Sequence, residues 1–127
     1  MPEVQIYTWQ EFEVDVEKIA RTIKAWDKKF VYIYGPPRGG LPLAVCLSHR
    51  LNIELMTNSP LDVLMRAFFS TTLIVDDIAD TGKTLQSFKE NGFFIATLFK
   101  HPNSVVKPDI AIREKQDRWI QFPWEVK

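Results

Sequence analysis

The chain has 127 residues, 46% of them hydrophobic, and sets 16 Lys and Arg against 16 Asp and Glu. That length fits one domain with enough apolar residues to bury a core. The formal charge of zero excludes a global basic field for nucleic acid and an acidic solvating tail. One cysteine, Cys46, excludes an internal disulfide and a cysteine-built zinc cluster, and its place in an apolar helical run reads as a buried structural thiol. No run is long and apolar enough to span a bilayer and no signal-peptide pattern opens the chain, so the expectation is a cytoplasmic protein with no membrane partner.

In chain order, Val4 to Tyr7 is predicted as a short strand. Thr8 and Glu11 have capping-box spacing, in which a hydroxyl and a carboxylate satisfy the first unpaired amides of a helix. Val16, Ile19, Ala20, Ile23 and Trp26 then recur at helical spacing, with charged residues between them. Phe30 to Tyr34 is a β-branched and aromatic run of strand length. The turn Gly35 to Gly40 leads into a helical pattern from Leu41 to Leu51, and Ile53 to Met56 reads as another strand. Between Thr57 and Ser70, a turn at Asn58-Ser59-Pro60 precedes Leu61, Leu64, Met65 and Phe68 at the spacing of a short helix. Thr72 to Val75 is predicted as a strand, Lys83 to Asn91 as a helix closed by Gly92, Phe94 to Phe99 as a strand and Asp109 to Ile112 as a last short one. Strands alternating with helices, without repeat or linker, predict a single α/β domain over residues 1–127 with a mainly parallel central sheet flanked by helices.

The run Leu73-Ile74-Val75-Asp76-Asp77-Ile78-Ala79-Asp80-Thr81-Gly82-Lys83-Thr84-Leu85 carries the most chemistry. An apolar strand delivers two adjacent carboxylates, then a short loop enters a helix, at the end of a parallel sheet where ligands bind. The amides, threonine hydroxyls and glycine from Ala79 to Thr84 suit a phosphate at a helix N-terminus. Asp76 and Asp77 repel that anion and suit instead the hydroxyls of a sugar or a divalent cation. Gly82-Lys83-Thr84 looks like the end of a nucleotide P-loop, but that motif needs glycine at position 77, where this chain has Asp77. Asp80-Thr81-Gly82 is also the tripeptide of aspartic proteases, which belongs to an all-β fold, whereas here a helical pattern follows.

This run closely resembles the phosphoribosyl pyrophosphate (PRPP) motif of type I phosphoribosyltransferases: apolar strand, two acidic residues, two small or apolar residues, then Asp-Thr-Gly-x-Thr. The resemblance implies that Asp76 and Asp77 hold the ribose hydroxyls and that Ala79, Asp80, Thr81, Gly82, Lys83 and Thr84 hold the 5′-phosphate. Tyr34-Gly35-Pro36-Pro37-Arg38-Gly39-Gly40-Leu41-Pro42 is similar to the family's pyrophosphate loop in the Arg-Gly-Gly form of its xanthine-guanine members, which implies a pyrophosphate site at Arg38, Gly39 and Gly40. Two glycines there allow close backbone approach, and Arg38 adds a fixed fork of donors. Asp117-Arg118-Trp119-Ile120-Gln121-Phe122-Pro123-Trp124-Glu125 resembles the purine-binding tail of the same members, and Tyr7-Thr8-Trp9 their opening. Trp119 then stacks on the base, and the Trp119 and Ile120 carbonyls accept from a 2-amino group. The family fold adds a small C-terminal hood.

The implied activity is transfer of ribose 5-phosphate from PRPP to a 6-oxopurine (guanine, xanthine or hypoxanthine) in purine salvage. Mg²⁺ is its cofactor with Asp77 as a metal-binding residue, Asp80 is the catalytic acid–base group at purine N7, and the partners are small molecules and further copies in a homodimer or homotetramer. Two departures stand out. The family's lysine for purine O6 precedes a proline, where this chain reads Lys100-His101-Pro102, so the O6 reader is Lys100 or His101. The segment available for the family's catalytic lid, Thr57 to Thr71, is short and apolar, with Arg66 its one cation. It reads either as a lid or as a packed or subunit-contact helix over Leu61 to Phe69. A chain lacking the lid has an alternative role, as a non-catalytic regulator that binds PRPP or a nucleotide.

Overall fold

The computed structural model describes residues 3–62 and 65–125, with the side chains of residues 65 and 66 left out. Leu64 and Arg66, singled out in the lid segment, therefore lie outside the described side chains. Five strands form one parallel sheet in the order β3-β2-β4-β5-β6: β2 (Tyr32–Tyr34), β3 (Glu54–Leu55), β4 (Thr72–Ala79), β5 (Phe94–Lys100) and β6 (Ile110–Glu114). A separate parallel pair joins β1 (Val4–Ile6) to β7 (Trp119–Gln121), so the two ends of the chain build the small hood. The α/β class and the parallel central sheet agree with the sequence pattern.

Helix α1 (Trp9–Ala25) starts at the predicted capping box: the Thr8 hydroxyl accepts from the Glu11 N–H at 3.1 Å, and Glu11 accepts from the Thr8 N–H at 3.1 Å. Its apolar stripe, Phe12, Val16, Ile19, Ala20 and Ile23, is buried on one face of the sheet beside α2 (Leu41–Leu51), which contributes Leu43, Ala44 and Leu47. Helix α3 (Lys83–Glu90) covers the other face through Leu85 and Phe88, against Tyr34, Ile74, Ile95 and Val106. With both faces covered, Leu73, Ile74 and Val75 of the central strand are each at most 1% exposed, which is why β4 reads as an unbroken apolar run. Cys46 on α2 is half-buried, and burial raises its thiol pKa.

Strand β4 runs on through Ala79, four residues past the predicted end at Val75, because Asp76 pairs with Thr97, Ile78 with Phe99 and Ala79 with Lys100. Both carboxylates thus lie within a central strand, with Asp76 a ladder residue, rather than at its end. The segment after β3 holds a 3-10 helix from Met65 to Thr71. Its Phe68 packs edge-on against Tyr32, Phe69 lies against Gly92, and Leu61 joins the core under α3. The described part of this segment is packed onto the sheet edge, although Phe68 and Phe69 keep 43% and 44% of their surface in solvent.

Candidate active site

The carboxyl ends of β2, β4, β5 and β6 meet under the hood. Asp76 is 8% exposed, and its carboxylate accepts the Asp77 N–H at 2.9 Å. Burial, reinforced by the neighbouring Asp77 charge, pushes the Asp76 pKa up to about 8, and burial raises that of Asp77 as well. The pair therefore retains a proton near neutrality, since two adjacent buried carboxylates resist double ionisation.

The turn after β2 leans directly on this pair. A Cβ added at Gly39 would lie 2.4 Å from Asp77 Oδ2, and one at Gly40 would lie 2.8 Å from the Val75 carbonyl oxygen. Only glycines let the loop approach β4 this closely. Arg38 stands exposed at the tip, after a cis Pro37–Arg38 peptide, and Gly40 N–H donates to the Pro36 carbonyl at 2.9 Å. Arg38, Gly39, Asp77, Trp124 and Glu125 line an open cavity of about 550 Å³. Among the described residues no cluster of three or more His, Cys, Asp or Glu is arranged to hold a metal ion. The donors fit Mg²⁺ nonetheless, because that hard cation takes one or two carboxylates and completes its shell with water and substrate phosphates. Asp77, which faces the cavity beside Arg38, is the residue placed to supply such an oxygen.

The loop from Ala79 to Thr84 enters α3 through Gly82 at φ 86°, a left-handed conformation. A Cβ there would lie 2.6 Å from Ser104 Oγ and 2.7 Å from the Val106 nitrogen, so both φ and space require glycine. Its close packing seats the loop against residues 104–106, where the Val105 N–H donates to the Thr81 carbonyl at 2.9 Å. The Thr81 hydroxyl accepts the Lys83 N–H at 3.3 Å and the Leu85 N–H donates to the Gly82 carbonyl at 3.2 Å, while Thr81, Lys83 and Thr84 are exposed. The start of this helix is exposed at the positive end of its dipole, which suits a phosphate.

A second cavity, of about 140 Å³, opens on the far side of Asp77. Its walls are Asp77, Ile78, Asp80, Lys115, Trp119, Ile120, Phe122 and Glu125, which brings Trp119 and Ile120 together with Asp77 and Asp80. Trp119 is 65% exposed, which leaves its indole surface available for stacking. Phe122 and Trp124 stack on each other at 5.0 Å, Phe122 packs edge-on against Tyr7 and Phe99, and the Phe122 N–H donates to Glu125 at 2.8 Å. These contacts hold the tail over the end of the sheet.

Lys100 and His101 do not line this cavity. Lys100 is the last residue of β5 and pairs through its backbone with Ala79 and Glu114. His101 turns into its own loop, where Nδ1 accepts the Asn103 N–H at 3.0 Å and Nε2 lies 3.3 Å from Asp117. The cation in the cavity is Lys115, just past β6, whose Nζ lies 3.2 and 3.3 Å from the two Asp80 carboxylate oxygens. No motif marks Lys115 in the sequence, and it reaches Asp80 only because β6 lies beside β5.

No family model matches the chain. It is 26% identical to the xanthine-guanine phosphoribosyltransferase of Idiomarina loihiensis, over 94% of this chain and 85% of that one. It is also 26% identical to the enzyme of the same name from Chromohalobacter salexigens, over 92% and 85%. Among solved structures, the purine phosphoribosyltransferase of Pyrococcus horikoshii superposes with a TM-score of 0.76 at 28% identity, covering 98% of this chain and 95% of that one. The Helicobacter pylori xanthine-guanine-hypoxanthine phosphoribosyltransferase shares the fold at a TM-score of 0.80 and 22% identity, covering 99% and 95%.

Proposed function

We propose that this chain, a type I phosphoribosyltransferase close to the xanthine-guanine enzymes, transfers ribose 5-phosphate from PRPP to a 6-oxopurine and releases pyrophosphate. The observation that carries the reading is the position of Asp77, which forms a wall of both cavities. A sugar held there has a pyrophosphate-sized space beside Arg38 and Gly39 on one side and the Trp119 cavity on the other. The start of α3 lies next to it for the 5′-phosphate. That shared wall supports a leaving group and a nucleophile meeting at one sugar carbon.

In the reaction the bond from the anomeric carbon to the pyrophosphate oxygen breaks and a bond to purine N9 forms. Asp76 and Asp77 accept hydrogen bonds from the ribose hydroxyls. Amides and the Arg38 guanidinium stabilise the charge gathering on the leaving group. Asp80 takes the proton from N7 as N9 bonds to carbon. Asp77 would hold Mg²⁺ in part, and the ion would supply positive charge to offset that of the departing pyrophosphate. The partners are small molecules and further copies of the chain in a homodimer or homotetramer, working in the cytoplasm. Among the described residues no helix is long and apolar enough to cross a membrane.

The test is product formation from PRPP and Mg²⁺ with guanine, xanthine, hypoxanthine, adenine and uracil in parallel. Monophosphates from the 6-oxopurines are expected. PRPP binding without product from any base would replace transfer with the non-catalytic regulatory role.

A further inference from the structure

We propose that Lys115 reads the purine 6-position in this protein, and that it does so as one half of a donor–acceptor pair with Asp80. The proposal rests on the 6-oxopurine reading above and adds the residue that selects an oxo over an amino group. A 6-oxopurine carrying its proton on N7 presents a donor and, beside it, the O6 acceptor along one edge. The Asp80–Lys115 pair presents the complement, a carboxylate acceptor with an ammonium donor 3.2–3.3 Å away, on the wall of the cavity beneath Trp119. A base entering under Trp119 exchanges the ion pair for two matched charge-assisted hydrogen bonds, N7–H to Asp80 and Lys115 to O6. A 6-aminopurine sets its own N–H donors against the ammonium and leaves both unpaired, which lowers its affinity.

The placement of Lys115 is that of a built contact rather than a stray surface lysine. Its side chain is 15% exposed, against 50% for Asp80, so the stem is covered and the tip points into the cavity. Its N–H donates to the Lys100 carbonyl at 2.9 Å. Two residues earlier, Arg113 is clamped by the fully buried Asp15 at 2.7 and 3.3 Å and by Glu11 at 3.3 Å, which ties the end of β6 to α1. His101, the competing reader, has both ring nitrogens engaged, one by Asn103 in its own loop and the other by Asp117 beyond β6. With Nδ1 accepting from Asn103, the ring hydrogen sits on Nε2 and faces Asp117.

The experiment compares wild type, Lys115→Met, Lys115→Gln and His101→Gln by calorimetric binding of guanosine 5′-monophosphate, adenosine 5′-monophosphate and ribose 5-phosphate; the nucleotides carry no N7 proton and so report the 6-position contact alone. Steady-state rates with guanine and adenine are measured alongside. In both Lys115 variants the affinity for the guanine nucleotide and the guanine kcat/KM are expected to fall about tenfold to a hundredfold. Ribose 5-phosphate should bind as before, which also certifies the fold, and the guanine-over-adenine preference should collapse. A preference that survives both Lys115 variants and disappears in His101→Gln overturns the proposal, as does a wild type that binds the two nucleotides equally. A wild type that prefers the guanine nucleotide through Lys115 yet makes no product leaves this proposal standing and removes the transfer reaction instead.

Discussion

Placing two carboxylates side by side in a central strand costs folding free energy in the ligand-free protein, and that cost makes the site sensitive to pH. Asp76 is raised from 3.8 to about 8 in the fold, so between those values the folded chain holds a proton that the unfolded chain has released. Stability then falls as pH rises through this window, and the full penalty is present above about pH 8. Asp76→Asn removes the titrating group while keeping the shape, and its amide can donate to Asp77. The ligand-free variant should melt several degrees above the parent at pH 8 and converge with it toward pH 4, a comparison that thermal scans at fixed ionic strength make directly. PRPP affinity should show the opposite trend in the parent, strengthening with pH as the pair ionises. Asp80 stands apart: it is half exposed and paired to Lys115, and its proposed role is proton transfer from N7. Asp80→Asn keeps the shape but cannot take a proton from N7, so kcat should drop about a hundredfold or more while the KM for PRPP changes by less than about threefold. Equal losses in both parameters would place Asp80 in PRPP binding rather than proton transfer.

Among the elements, those specified by neighbours along the chain are legible in the amino-acid sequence. The Thr8–Glu11 capping box starts α1 where predicted, and α2 spans Leu41 to Leu51 as its apolar spacing requires. The acidic strand, the glycine turn and the Trp119 tail are recognisable as contiguous runs, but local chemistry leaves each open to more than one use, and a single use comes only from the family resemblance. The extension of β4 to Ala79 is not, since acidic residues disfavour a strand end until β5 supplies ladder partners. Lys115 and Arg113 are hidden for the same physical reason: their partners lie 35 and 98 residues away along the chain. The second of these contacts has a mechanical consequence. Asp15 is 0% exposed and is held by the Tyr7 hydroxyl at 2.5 Å and by Arg113, so one buried carboxylate joins the strand leading into the hood, α1 and β6. Arg113→Met leaves that carboxylate without its cation and should cost about 3–5 kcal/mol in urea unfolding. Tyr7→Phe removes one hydrogen bond and should cost about 1–3 kcal/mol. Because Lys115 follows Arg113 by two residues, the Arg113 variant should also weaken guanine nucleotide binding more than ribose 5-phosphate binding.

The whole molecule consists of a tightly packed five-stranded sheet and a two-stranded hood, with the site between them. The hood is made from the two ends of the chain and closed by β1–β7 pairing and the aromatic contacts of Tyr7, Phe99, Phe122 and Trp124. On the proposed reading a nucleoside monophosphate would span this junction, with its phosphate at the start of α3 and its base under Trp119, whereas ribose 5-phosphate would engage only the sheet side. The two ligands should therefore stabilise different parts of the protein. At a concentration about 100 times its dissociation constant, either ligand adds about 2.7 kcal/mol to global stability, which for a chain of this length is a rise in Tm of a few degrees. Equal thermal shifts thus conceal unequal local effects. Amide hydrogen exchange separates them: guanosine 5′-monophosphate should slow exchange in both residues 80–85 and residues 119–125, and ribose 5-phosphate in the first segment alone. Protection of both segments by ribose 5-phosphate would mean that filling the phosphate site by itself closes the hood. Base selection would then follow a closure already made, rather than drive it.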